Sequence, residues 1–332
     1  MSTTAIILLI LVIVAALVFE YINGFHDAAN AIATIVSTKV LSPRIALVYG
    51  ACLNFCGAFA GTHVAKTIGA GIVNAESVTH PVILCALIGA ILWNLFTWFV
   101  GIPSSSSHAL IGGLLGAAIA HNGFEVVHIK GLVGKVIIPM FASPLIGFFL
   151  GFAVMLALLW ICAYASPEKI NKKFKSFQLV SAGIMAFSHG SNDAQKTMGI
   201  ITLSLLTSGV LQQDHFVVPV WVIFMCALTM GLGTMAGGWR IIHTIGSKVI
   251  KLKPIHGCAA EATAATTILT ASFFGFPVST THIISTAIMG VGSTIRFSAV
   301  KWGLVGNIVL AWFLTIPVCA ILSAVLYALC VP

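Results

Sequence analysis

Apolar segments near residues 4–38, 45–62, 82–100, 104–120, 131–164, 178–208, 217–238, 255–274, 279–295 and 302–331 take up most of the 332-residue chain. A helix needs about 20 apolar residues to cross a bilayer, so a chain built from such runs has lipid as the solvent for most of its surface. Only 7% of the residues are charged and 59% are apolar, against roughly 25% and about 45–50% in a soluble domain. A disordered chain, a secreted scaffold and an ordinary cytosolic enzyme are excluded. The expected fold class is all-α, a polytopic membrane protein.

Met1–Thr4 has no Lys or Arg ahead of the apolar run Ala5–Phe19. A signal peptide needs a positive leading region, so this start reads as a retained first span. The cysteines fall singly within apolar stretches, with no CxxC pair, and read as small buried hydrophobes.

Residues 4–38 and 178–208 are longer than one span and each holds a polar cluster, so both read as broken or re-entrant helices. Those clusters reveal an internal repeat. Gly24-Phe25-His26-Asp27-Ala28 matches Gly190-Ser191-Asn192-Asp193-Ala194 at an offset of 166. Gly101-Ile102-Pro103 followed by Ser104–His108 matches Gly275-Phe276-Pro277 followed by Val278–His282 at an offset of 174. Lys66-Thr67-Ile68-Gly69 and His243-Thr244-Ile245-Gly246 form a weaker third pair. Three matches in the same order argue for duplication.

The basic residues orient the chain. With Lys169, Lys172, Lys173 and Lys175 placed in the cytoplasm, 12 Lys and Arg fall inside and 3 outside, with Lys196 within a span. That asymmetry obeys the positive-inside rule and accounts for the net charge of +8 without nucleic acid as a partner. It requires an odd number of crossings per half, so the second repeat is inverted and both termini lie outside. Residues 1–164 form the first inverted repeat, 165–177 a cytoplasmic linker and 178–332 the second repeat. Many secondary transporters are built this way, with the substrate between the halves. The segments at Pro103 and Pro277 are either full-span pairs or re-entrant hairpins. The hairpin is preferred because their Ser/Thr-rich turns carry no charge.

Asp27 and Asp193 are the sharpest chemical signals. A carboxylate within a span costs about 2.5–3.5 kcal/mol on insertion scales, so each must have a partner or a role. It could hold a coupling cation, exchange a proton, or cap a half-helix. Asn30, Asn192 and Gln195 stand within three residues of an Asp; their amide oxygens suit a hard cation and their N–H groups an oxyanion. Lys196 either attracts an anion or neutralises Asp193 or Glu261. Glu261, a third intramembrane acid, either joins the cation site or pairs with Lys196.

Ser104, Ser105, Ser106 and Ser107, and Ser279, Thr280 and Thr281, each follow Gly-x-Pro and open an apolar helix. Proline ends one helix, hydroxyls start the next, and a helix N-terminus presents unpaired N–H groups to an anion. Two such ends meeting would cradle an oxyanion. His108 and His282 close these clusters as struts or as proton or substrate groups, and His26 and His189 flank the Asp motifs in the same sense. Glu20 and Asn94 read as helix-packing residues. No HExxH or other histidine spacing supports a zinc site.

The runs Asn23–Ala31 and Gly190–Thr197 resemble the paired signature of the inorganic phosphate transporter (PiT) family. Pro103–His108 and Pro277–His282 resemble its hairpin tips, and Trp239–Pro254 and Glu261 also look like family sequence. The likeness spans essentially the whole chain and is most similar to bacterial low-affinity phosphate permeases. It implies import of inorganic phosphate by H⁺ or Na⁺ symport through alternating access, at a multi-pass bacterial cytoplasmic membrane site, with no resident cofactor. Substrate contacts carry over to Ser104–Ser107 and Ser279–Thr281, with Asn30, Gln195 and Lys196 beside them. Cation contacts carry over to Asp27, Asn30 and Asp193, with Asn192 and Glu261. The implied partners are phosphate, the cation, the bilayer and, as an open alternative, a second copy in a homodimer.

Two departures bear on the cation. Many members have Gly-Ala-Asn-Asp where this chain has Gly-Phe-His-Asp at Gly24–Asp27, and Asn54 stands where some carry Glu. Both shift the expectation from a simple Na⁺ site toward proton coupling or carriage of a metal–phosphate complex. Relatives that carry sulfate keep a sulfate permease open. From other classes, a passive anion channel has no use for paired carboxylates that repel anions. An intramembrane protease is disfavoured because duplication of every polar motif suits a two-sided site.

Overall fold

The computed structural model describes residues 2–74, 78–211 and 216–331, apart from the side chains of Ser247 and Lys248; the Lys248 charge, counted above on the cytoplasmic side, therefore lies outside the described groups. The described chain is helical, with a single isolated bridge between Val73 and Val127. Helix α1 spans Thr3–His26 and α2 Ala28–Ser37, followed by α3 (Pro43–Gly57), α4 (His63–Ala70), α5 (His80–Val100) and α6 (Ser106–Asn122). A short α7 (Ile129–Leu132) runs through a π-turn into α8 (Ile138–Ile161). Then come α9 (Pro167–Thr207), α10 (Val220–Ala236), α11 (Trp239–His243), α12 (Pro254–Phe273), α13 (Thr280–Ser293) and α14 (Trp302–Cys330).

Among the described residues, four stretches are long and apolar enough to cross a membrane: Thr3–Ser37, His80–Val100, Ile129–Ile161 and Trp302–Cys330. A fifth, Val220–Ala236 with Trp239–Gly246, is bent by 63° where Gly237 takes a positive φ and Gly238 follows. On α1 the buried residues Leu9, Val12, Ala16, Phe19 and Asn23 recur every three or four positions, while Ile6, Ile10, Val14 and Val18 face outward. Both faces are apolar because one meets protein and the other lipid. Polar groups reverse the soluble pattern: Glu20, Asp27, Asp193, Lys196 and Glu261 are all buried.

Two helices are enclosed on every side. From Ser106 to Ala118 on α6, and from Thr280 to Gly292 on α13, every residue is buried. Helix α6 packs between α5 and α14, and α13 between α12 and α8. Each enclosed helix thus leans on the last long helix of the opposite half, which interlocks the two halves. The turns that lead into them share one device. Gly101 (φ +77°) and Gly275 (φ +73°) are both left-handed, a conformation glycine reaches without Cβ strain, and the prolines two residues later keep the chain extended before the next helix begins.

Two sequence expectations need correction. Residues 178–208 are not broken: 178–207 lie within the unbroken 41-residue α9, which also takes in residues 167–177 and is capped by Ser208. No proline interrupts it, and its polar side chains find partners on neighbouring helices, so its hydrogen-bond ladder has no reason to open. Only the first copy is interrupted, at Asp27 (φ −95°, ψ 4°) between α1 and α2. Of the cysteines, Cys85, Cys226 and Cys319 are buried, but Cys52, Cys56 and Cys330 lie exposed on apolar faces.

Candidate functional site

The N-termini of α6 and α13 meet. His108 and His282 sit edge to face with ring centroids 4.8 Å apart, and Ser107 Oγ lies 3.4 Å from the Val278 carbonyl. Ser105 and Ser279 are the N-caps, accepting from the amides of His108 (3.2 Å) and His282 (3.3 Å). The first two amides of each helix, at Ser106 and Ser107 and at Thr280 and Thr281, are left without an intrahelical acceptor. Two positive helix ends therefore face one another in a buried place.

Both motif aspartates reach this junction. Ser106 Oγ donates to Asp27 Oδ2 at 2.6 Å and lies equally close to Asn23 Oδ1. Thr281 Oγ1 donates to Asp27 Oδ1 at 3.4 Å, and His26 Nδ1 is 2.8 Å from that oxygen. Thr280 Oγ1 donates to Asp193 Oδ2 at 3.0 Å. Asn30 Nδ2 donates to Thr281 at 2.8 Å and Thr280 at 3.3 Å, while its Oδ1 is buried with no partner. Lys196 forms an ion pair with Asp193 and also donates to Ser107 and to the Val278 carbonyl. His189 Nε2 stands 3.1 Å from Asp193 Oδ2. Asp27, His189 and Asp193 each offer a ligand atom within 4.8 Å of the others, a grouping that linear spacing conceals.

The remaining expected site residues direct their hydrogen bonds to other partners. Glu261 accepts from Thr34, Ser181 and Gln178, the last at 3.1 Å, so Lys196 pairs with Asp193 and not with Glu261. Gln195 caps α4: its Oε1 accepts from Val64 N at 2.8 Å and its Nε2 donates to the Ser191 carbonyl at 2.5 Å. Asn192 Nδ2 donates to Ser272 (2.8 Å) and to the Phe276 carbonyl (3.2 Å) behind the second tip. Ser104 donates to Thr97 at 2.9 Å, and Thr97 in turn contacts His26 Nε2 at 3.0 Å. Asn23 and Thr97 are thus parts of the site that sequence reasoning passed over.

The Phosphate transporter family model matches residues 23–323. The chain belongs to the phosphate transporter family. It is 50% identical over 98% of its length, and 97% of the relative's, to a protein of Rhizobium meliloti (strain 1021) described as a "probable low-affinity inorganic phosphate transporter". A Bacillus subtilis (strain 168) protein described in the same words is 48% identical, covering 97% of this chain and 96% of that one. A solved structure titled "The sodium-dependent phosphate transporter" superposes with a TM-score of 0.90 at 25% identity, over 97% of this chain and 98% of that one. The family consists of membrane transport proteins, so this phosphate transporter is not an enzyme, and its apolar helices place it in a membrane.

Proposed function

We propose that this phosphate transporter imports its anion by cation symport, with the anion bound between the two tips and the cation at Asp27. One observation carries the reading: hydroxyls of both tips, Ser106, Thr280 and Thr281, are engaged with the two carboxylates. A hydroxyl has one proton. While that proton serves Asp27, it is unavailable to phosphate. A cation at Asp27 takes over the carboxylate, and the hydroxyl protons turn to the anion together with the free amides of α6 and α13. Each charge also lowers the desolvation cost of the other in this buried place. Loading one ligand therefore prepares the site for its partner. The two halves, read as inverted repeats, then rock to present the loaded site to the other face.

The unpartnered Oδ1 of Asn30 supports Na⁺ as the cation. The His26 contact to Asp27 supports H⁺. A second reading, transport of a divalent metal–phosphate complex, is favoured by the Asp27–His189–Asp193 grouping. Proteoliposome uptake of radiolabelled phosphate under imposed Na⁺, H⁺ or Mg²⁺ gradients decides among them, with excess sulfate as competitor. Symport requires accumulation driven by a gradient and resistant to sulfate. Flux indifferent to every gradient contradicts it, and block by sulfate reassigns the substrate.

A further inference from the structure

Glu20 is a fully buried carboxylate on α1, one turn before Asn23, whose side chain acts on it from the edge of the central site. One oxygen accepts from Thr197 of α9, and the other, Oε1, is enclosed without a partner. It lies seven residues before Asp27, two turns or about 10 Å along the same helix face. Asn23 stands between them on that face, with its Oδ1 2.6 Å from the Ser106 hydroxyl that serves Asp27. Ala16, Phe19, Met198, Cys226 and Met230 belong to the apolar core cluster to which α1, α9 and α10 all contribute.

A hard metal cation asks for several oxygen ligands, and here the carboxylate has beside it only the Thr197 hydroxyl and the Asn23 amide. A proton needs a single lone pair, and it removes the charge that makes burial costly. We propose that Glu20 is a proton-binding group of the transport cycle. A proton from solution on one side binds a carboxylate oxygen, giving the neutral acid that the tight α1–α9–α10 packing accommodates. It leaves to water on the other side when that packing opens and the carboxylate is again hydrated. The proton then has unequal affinity for two conformers, which is what shifts an equilibrium between them. The groups that act on Glu20 electrostatically are Asp193 and Lys196 of α9, and Glu20 in turn acts on Cys226 of α10. Among the described residues, α5 and α2 present no ionisable group that acts on it. This inference rests on the symport reading.

The test compares wild type, Glu20→Gln, Glu20→Asp and Thr197→Val in proteoliposomes, each by phosphate–phosphate exchange and by uptake under an imposed pH gradient. Expected are preserved exchange in all four, at least a tenfold loss of pH-driven accumulation in Glu20→Gln, its retention in Glu20→Asp, and a shifted pH profile in Thr197→Val. Undiminished pH-driven accumulation in Glu20→Gln overturns the proposal and leaves symport intact. Wild-type protein that responds to no cation gradient overturns symport itself. If Glu20→Gln loses exchange as well, difference infrared spectra of wild type and Thr197→Val on adding phosphate decide. A carboxylic-acid carbonyl band that moves in Thr197→Val supports the assignment, and a spectrum without such a band overturns it.

Discussion

The two copies of the aspartate motif occupy matching places but hold their charges differently. At the offset of 166, Asp27 corresponds to Asp193 and Asn30 to Lys196. In the second copy the carboxylate carries its own cation, the ammonium of Lys196 one turn along the unbroken α9. In the first copy the matching position is a neutral amide that spends its N–H groups on Thr280 and Thr281. Asp27 is left with hydroxyls and His26, at a helix interruption. The comparison teaches that the two matching motifs differ by one charge, since the second keeps an ammonium beside its carboxylate and the first does not. On the proposed symport reading, Asp27, which has no built-in cation, is the carboxylate that takes the transported ion.

Substitutions that erase or exchange this difference test it. Asp27→Asn is expected to abolish gradient-driven phosphate accumulation entirely while folded protein remains in the membrane; uptake assays on reconstituted protein check it. Asn30→Lys gives the first copy the built-in ammonium of the second. It is expected to uncouple flux from the cation gradient while phosphate still exchanges.

Lys196→Met takes the ammonium from buried Asp193 and leaves it His189 and Thr280, a loss of at most about 3–5 kcal/mol readable as a lower unfolding temperature. Asp193→Asn combined with Lys196→Met should recover most of that stability. Ser106→Ala is expected to weaken phosphate binding by roughly tenfold, in line with about 1.5–3 kcal/mol for a hydrogen bond to a charged group. Ser105→Ala removes a cap instead, costing about 1 kcal/mol of stability with a much smaller change in affinity. Equal affinity losses in the two serine variants would erase the distinction between cap and ligand.

Much of this arrangement is legible because the sequence shows its polar motifs twice. Asp27 and Asp193, with the hydroxyl runs at Ser104–Ser107 and Ser279–Thr281, stood out against apolar surroundings, and the tips they mark do come together. The same lens hid whatever lacks a copy. Glu20 aligns with Ala186 and Asn23 with His189, so the repeat marks neither, and Asn23 enters only as the first residue of the run that resembles the family signature. Local composition also could not tell an interrupted helix from an intact one at Gly190–Asp193. Which one forms depends on partners such as Ser272 and Thr280, far away in sequence. For Glu261 and Gln195 the residue type and the resemblance suggest a role, but not that their hydrogen-bond partners are Gln178, Ser181 and Val64. Hydrogen-bond destination is a tertiary property that residue type does not carry.

The most direct measurement is phosphate binding to purified wild-type protein by calorimetry, titrated at increasing concentrations of the coupling cation, with the reciprocal titration of cation at fixed phosphate. Shared hydroxyls make the two ligands mutually dependent, so the apparent Kd of each must fall by the same factor as the other is raised. Asp27→Asn must remove that dependence. Phosphate affinity that stays constant across the cation titration in wild-type protein would contradict a site in which one set of hydroxyls serves both ions.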